Sequence, residues 1–297
     1  MPTSRPGEAV RQSGSRYVLV GVDDGPSSVA AARYAARAAQ DRGADLLIAH
    51  ADGERDAPRQ DTFRGPVTGT VPDRVLTQVI VPPSLNVRCL SEVADPVELL
   101  VRLGAAAELT VVGQHHAIPP GHLLGGSTAA GLAAMATGPV VTVPAYYHRD
   151  AHPRAPVVVA LDGTAAADLV LKLAFDEAAF RQVPLLVLHA TPDSTSPSRQ
   201  DELEVDLAEI LAGWKSDRPE VVVQTVVLAG EAEDRILQAS RHAALVIVGR
   251  PHLAAVGGWL RSVARAVLDR SGCPLAVVTS PRTRLHEAHA QSRAAPS

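Results

Sequence analysis

The chain repeats itself. Val-Leu-Val-Gly-Val-Asp at 18–23 returns as Val-Val-Val-Ala-Leu-Asp at 157–162, and Thr-Val-Val-Gly at 110–113 returns as Val-Ile-Val-Gly at 246–249. Gly-Pro-Val-Val-Thr-Val at 138–143 returns as Cys-Pro-Leu-Ala-Val-Val at 273–278. The separations are nearly constant: 139 residues from Asp23 to Asp162, 136 from Gly113 to Gly249 and 135 from Pro139 to Pro274. Solenoid units repeat every 20–50 residues or so, so a period this long marks a duplicated domain. The 297 residues suit two domains, and each copy of roughly 130 residues can bury its own core.

Within each copy, short apolar runs alternate with helical patterns. The first copy reads as strands near 17–22, 46–49, 87–93, 109–112 and 140–143, with helices near 28–42, 72–80, 96–107 and 127–136 between them. The second reads as strands near 156–161, 185–189, 221–228, 244–248 and 275–279, with helices near 165–182, 199–215, 231–243 and 262–271. Strands that are apolar at every position are buried on both faces. Alternation with helices predicts an α/β fold with right-handed crossovers and a parallel five-stranded sheet in each copy. The domain plan is a polar tail over 1–15, a first domain over 16–146, a polar linker over 147–155, a second domain over 156–281 and a second tail over 282–297.

Aromatic residues make up 3% of the chain, so Val, Leu, Ile and Ala must build the cores. A net charge of −4 supplies no electrostatic drive toward nucleic acid. Cys89 and Cys273 occupy non-equivalent places in the two copies. They form no disulfide framework or metal spacing and are expected to be buried or half-buried thiols of a reducing compartment. With no apolar leader and no run of about 18 apolar residues, the expectation is a cytoplasmic protein without a membrane partner.

Open parallel sheets bind ligands beyond the carboxyl ends of their strands, where the strand order reverses. In the first copy, strand one ends at Asp23 and strand four at Gly113. A Gly- and Pro-rich loop with His115, His116 and His122 then leads to Gly126-Ser127-Thr128 at a helix start. Free N–H groups, the helix dipole and two hydroxyls favour phosphate at such a start. The Asp23 carboxylate suits ribose hydroxyls or the edge of a base, so the two strand ends together form a candidate nucleotide site. Taken singly, Asp23 reads equally as a turn carboxylate and Ser127 as an N-cap. No P-loop is present, since the only lysines are Lys172 and Lys215, and neither a dinucleotide fingerprint nor a nucleophile elbow occurs. The crowded histidines lack a carboxylate at metal-ligand spacing. His50 and His189 close strand two in both copies, which points to a structural or pocket-lining role.

These motifs resemble those of the universal stress protein family, and the tandem arrangement resembles its two-domain members. The resemblance implies a Rossmann-like sheet of order 3-2-1-4-5 and packing of the two copies, or of two chains as a homodimer, through their last strands. It also implies a site for an adenine nucleotide, ATP with or without magnesium, carried by Gly, two residues, Gly, nine residues, Gly and then Ser or Thr. In the first copy Asp23, Gly113, Gly126 and Ser127 match this pattern, Thr128 follows, and His116 stands in the place of the second glycine. In the second copy Asp162 and Gly249 match, His252 again replaces a glycine, and Arg261-Ser262 replaces Gly-Ser after a loop one residue shorter. A degenerate second site is therefore expected. The implied role is a stress-related sensor or regulatory protein with at most slow hydrolysis. The alternatives are a nucleotide-free interaction protein of the same fold and an enzyme working in the same cleft.

Overall fold

The computed structural model describes residues 16–52, 69–114, 127–148, 153–161, 167–250 and 263–279. The first repeat runs β1 (Tyr17–Gly21), α1 (Pro26–Arg42), β2 (Asp45–Asp52), α2 (Val71–Leu76), β3 (Val87–Val93), α3 (Pro96–Gly104), β4 (Leu109–Gly113), α4 (Thr128–Met135) and β5 (Val140–Val143). The second runs β6 (Val157–Ala160), α5 (Ala167–Arg181), β7 (Leu185–Thr191), α6 (Pro197–Asp217), β8 (Val223–Ala229), α7 (Ala232–Ser240), β9 (Leu245–Arg250), α8 (Val263–Leu268) and β10 (Leu275–Thr279). Every anticipated strand and helix appears. The boundaries move by a few residues where ladder bonds or caps, rather than apolar runs, end an element; β2, for example, extends to Asp52 along β3.

The two repeats share one ten-stranded sheet of order β3-β2-β1-β4-β5-β10-β9-β6-β7-β8. Each half is parallel, and β5 joins β10 antiparallel with Val141 opposite Ala276. Strand residues alternate between two cores that both run through the two repeats. Val18, Val20, Val141, Val159 and Ala276 pack with α1 and α5 on one face. Leu19, Val140, Val158, Leu275 and Val277 pack with α3, α4, α7 and α8 on the other. Sheet period two and helices on both faces thus make a three-layer molecule rather than two beads.

Helix α1 lies close against the sheet because Ala30, Ala31, Ala32, Ala35, Ala36, Ala38 and Ala39 are buried and small. It ends at Gly43 in the left-handed region, φ +59°, whose N–H bonds back to Ala39 and Gln40. Helix α5 ends the same way at Gln182, φ 54°, where a side chain makes that conformation unfavourable. The two helix ends meet across the repeats. Glu177, 1% exposed, pairs with Arg42 and Arg181, whose side chains are 6% and 4% exposed. Arg181 also donates to the Tyr34 hydroxyl at 2.8 Å and lies 5.6 Å over its ring.

Two expectations are corrected. Tyr147, at the head of the segment read as a polar linker, packs 6.3 Å from the Tyr34 ring and donates to Ala244 O at 3.1 Å. Cys89 is exposed rather than half-buried, because β3 is an edge strand with a solvated face. Cys273 is buried, and burial pushes its thiol up to about 12.

Candidate functional site

The first repeat's site is built from the carboxyl ends of β1, β2 and β4. After β1 the chain turns through Asp23 and Gly25 into α1, with Pro26 at the first position of the helix. Asp23 Oδ1 accepts from Gly25 N at 2.8 Å and from Ser28 Oγ at 2.7 Å. Asp23 N in turn donates to Ser28 Oγ at 2.8 Å. The aspartate is therefore held in a side-chain-closed turn, locked by a helix hydroxyl that is 3% exposed.

Gly113, the last residue of β4, sits against the start of the same helix. A Cβ there would stand 2.4 Å from Ser27 Oγ, 2.6 Å from Ser27 Cβ and 2.9 Å from the Ser27 carbonyl carbon. The glycine lets β4 approach α1, and that contact joins the two strand ends the sequence had only paired by pattern. Gln114 follows; it is buried, and neither end of its amide hydrogen-bonds to any of the described residues. Ser127 is the N-cap of α4, its Oγ accepting from Ala130 N at 3.1 Å, and Thr128 is the first helical residue. The first-turn N–H groups of such a helix have no intrahelical acceptor. A carboxylate at one strand end and donors at a helix start are groups that fit a ribose and a phosphate.

His50 Nδ1 donates to Val22 O at 2.7 Å, and His189 Nδ1 donates to Leu161 O at 2.8 Å. Both imidazoles thus tie the end of strand two to the residue just before the strand-one aspartate, which is the structural role their repetition implied. Beside the turn, Asp24 pairs with Arg74 of α2, and Thr70 closes a capping box with Asp73. The hydroxyl and N–H of Thr70 hold the Asp73 carboxyl below its usual range.

His116 and Gly126 of the first site, and Asp162, His252, Arg261 and Ser262 of the second, lie outside the described residues. Gly249 is the penultimate residue of β9, which runs on to Arg250, and among the described residues a Cβ there would meet Val170 Cγ2 at 3.5 Å. Arg250 reaches into the first repeat and donates to Ala133 O at 3.1 Å and to Ala134 O. A cation on the last carbonyls of α4 is favourably placed against the helix dipole. Sequence reasoning missed Ser27, Ser28 and Arg250. A serine five residues after Asp23 at a helix start was the available signal for Ser28; Arg250 carried none, because its partners are more than a hundred residues away.

The family model described as the universal stress protein family matches residues 14–144 and 154–279, one match per repeat. A universal stress protein of Mycobacterium tuberculosis is 32% identical over 293 residues, covering 90% of this chain and 97% of that protein. A second from the same organism is 31% identical over 288 residues, covering 88% and 96%. Among solved structures, a universal stress protein from Archaeoglobus fulgidus shares the fold, with TM-score 0.61 and 16% identity over 89% of this chain and 96% of that one.

Proposed function

The chain belongs to the universal stress protein family, and on that premise we propose that it binds ATP in the first repeat as a sensor or regulatory protein of the cytoplasm. The observation that carries this reading is the contact of Gly113 with Ser27, next to the serine that locks Asp23. It brings the ends of β1 and β4 together as one cradle at the reversal of strand order. Asp23 would take the adenosine part, and Gly126, Ser127 and Thr128 the phosphates. Among the described residues there is no carboxylate cluster for magnesium and no lysine clamp of the kind fast phosphoryl transfer uses; binding rather than turnover is the proposed activity.

Calorimetric titration of the full chain with ATP tests this. About one site per chain with micromolar affinity is expected, lost on Gly126→Val. Two equal sites would refute the degenerate second repeat. No heat from protein shown to be nucleotide-free would refute ATP binding altogether. That outcome belongs to a second reading, a nucleotide-free protein acting through partner contacts. One observation favours it: the Asp23 Oδ1 and Ser127 Oγ acceptors are already engaged within the protein.

A further inference from the structure

We infer that Ser28 is the positioning residue of the nucleotide site in the first repeat, acting through Asp23. The inference rests on the ATP reading above and adds a residue that the glycine pattern does not include. Three facts carry it. First, the Ser28 hydroxyl makes a closed pair of bonds with one residue, accepting from Asp23 N at 2.8 Å and donating to Asp23 Oδ1 at 2.7 Å. Both the backbone and the carboxylate of the aspartate are fixed by a single side chain. Second, that side chain has no freedom of its own. Ser28 is 3% exposed and sits in the first turn of α1, and the preceding Ser27 is pressed against Gly113. Third, the repeat offers an internal comparison. Asp162 lies 139 residues after Asp23, and the residue five places after Asp162 is Ala167, which has no hydroxyl.

The physical consequence is pre-organisation. A carboxylate on a free turn samples several rotamers, and the ligand must select one of them at a cost in affinity. A carboxylate already held by Gly25 N and Ser28 Oγ presents its geometry before the ligand arrives. The motif glycine of β4 then acts at one remove: its missing Cβ leaves room for the helix start that carries the clamp.

The test is calorimetric titration of the full chain with ATP and with AMP, using wild type, Ser28→Ala, Ser28→Thr and Asp23→Ala. Ser28→Ala is expected to weaken both nucleotides by the same factor, about tenfold, the size of one lost hydrogen bond to a charged group. Ser28→Thr keeps the hydroxyl and should bind within about threefold of wild type, since a threefold change is under 1 kcal/mol. Thermal melts of each variant report whether the fold is intact. Wild-type affinity in Ser28→Ala alongside lost binding in Asp23→Ala would overturn the clamp. So would a loss in Ser28→Ala that is larger for ATP than for AMP, since that places the effect at the phosphates. Equal loss in Ser28→Ala and Ser28→Thr would assign the effect to packing and overturn it as well. Failure of the wild type to bind either nucleotide is a different result: it removes the ATP reading on which the clamp depends.

Discussion

Alanine at Gly113, the strand-four glycine of the first repeat, should destabilise the fold. At Gly113 the added Cβ would stand 2.4 Å from Ser27 Oγ and 2.9 Å from the Ser27 carbonyl carbon. A hydroxyl can rotate away, but a backbone carbon moves only if the start of α1 moves with it. Overpacking of this kind costs about 1–3 kcal/mol, and the upper half of that range applies because the obstacle is main chain. Gly113→Ala should therefore lose about 2–3 kcal/mol. Urea unfolding at pH 7, followed by far-UV circular dichroism, reads this as a lowered midpoint at constant slope. A loss within about 0.5 kcal/mol, the scatter of an ordinary surface substitution, would show that the steric contact at Ser27 does not exist in solution.

Glu177→Ala leaves two arginines, 6% and 4% exposed, without their shared acid; a loss of about 3–5 kcal/mol is expected in the same assay, and a loss below about 1 would refute a buried charge cluster between the repeats. Gln182→Gly relieves a left-handed conformation at φ 54° and should raise stability by about 1 kcal/mol, whereas Gly43→Ala at the equivalent helix end should lower it. Gln114→Met removes a buried amide with no hydrogen-bond partner among the described residues and should stabilise by about 1–2 kcal/mol; destabilisation would mean that the amide is satisfied. A thiol reagent at pH 8 should modify exposed Cys89 in the native protein and buried Cys273 only after unfolding. Because the Cys273 value is raised from 9.0 to about 12, the stability gained by keeping this thiol neutral is present below pH 9. It is lost as pH climbs toward 12, and the alkaline loss should shrink in Cys273→Ala.

Much of the fold was legible from local pattern. β1, β4 and β5 are buried at every position, and each appears in the sequence as a short, predominantly apolar run, broken in β4 and β5 by a single threonine, Thr110 and Thr142. The helices carry their own starts, such as Pro26 and Pro96 at first positions. The candidate site was legible only in outline. Asp23 and Ser127 stand at a strand end and a helix cap as their neighbours implied, but the agent that holds Asp23, the Ser28 hydroxyl, was hidden inside an Ala- and Ser-rich helix start. Cys89 was misjudged because an apolar run does not say whether a strand is central or at the edge.

The duplication, the succession of strands and helices in each copy and the turn chemistry that ends them are all written in the amino-acid sequence. These are properties of segments shorter than about 20 residues, repeated at one spacing, and local preference is enough to express them. Tertiary structure alone decided that β5 and β10 fuse the two sheets into one, that Arg42 and Arg181 share Glu177, that Arg250 holds the end of α4 and that Gly113 seats Ser27. Each of these joins residues more than 80 positions apart, except the Arg181–Glu177 pair within α5. Such pairings follow from which edges and faces remain unburied once the local elements have formed, and that is a property of the whole chain.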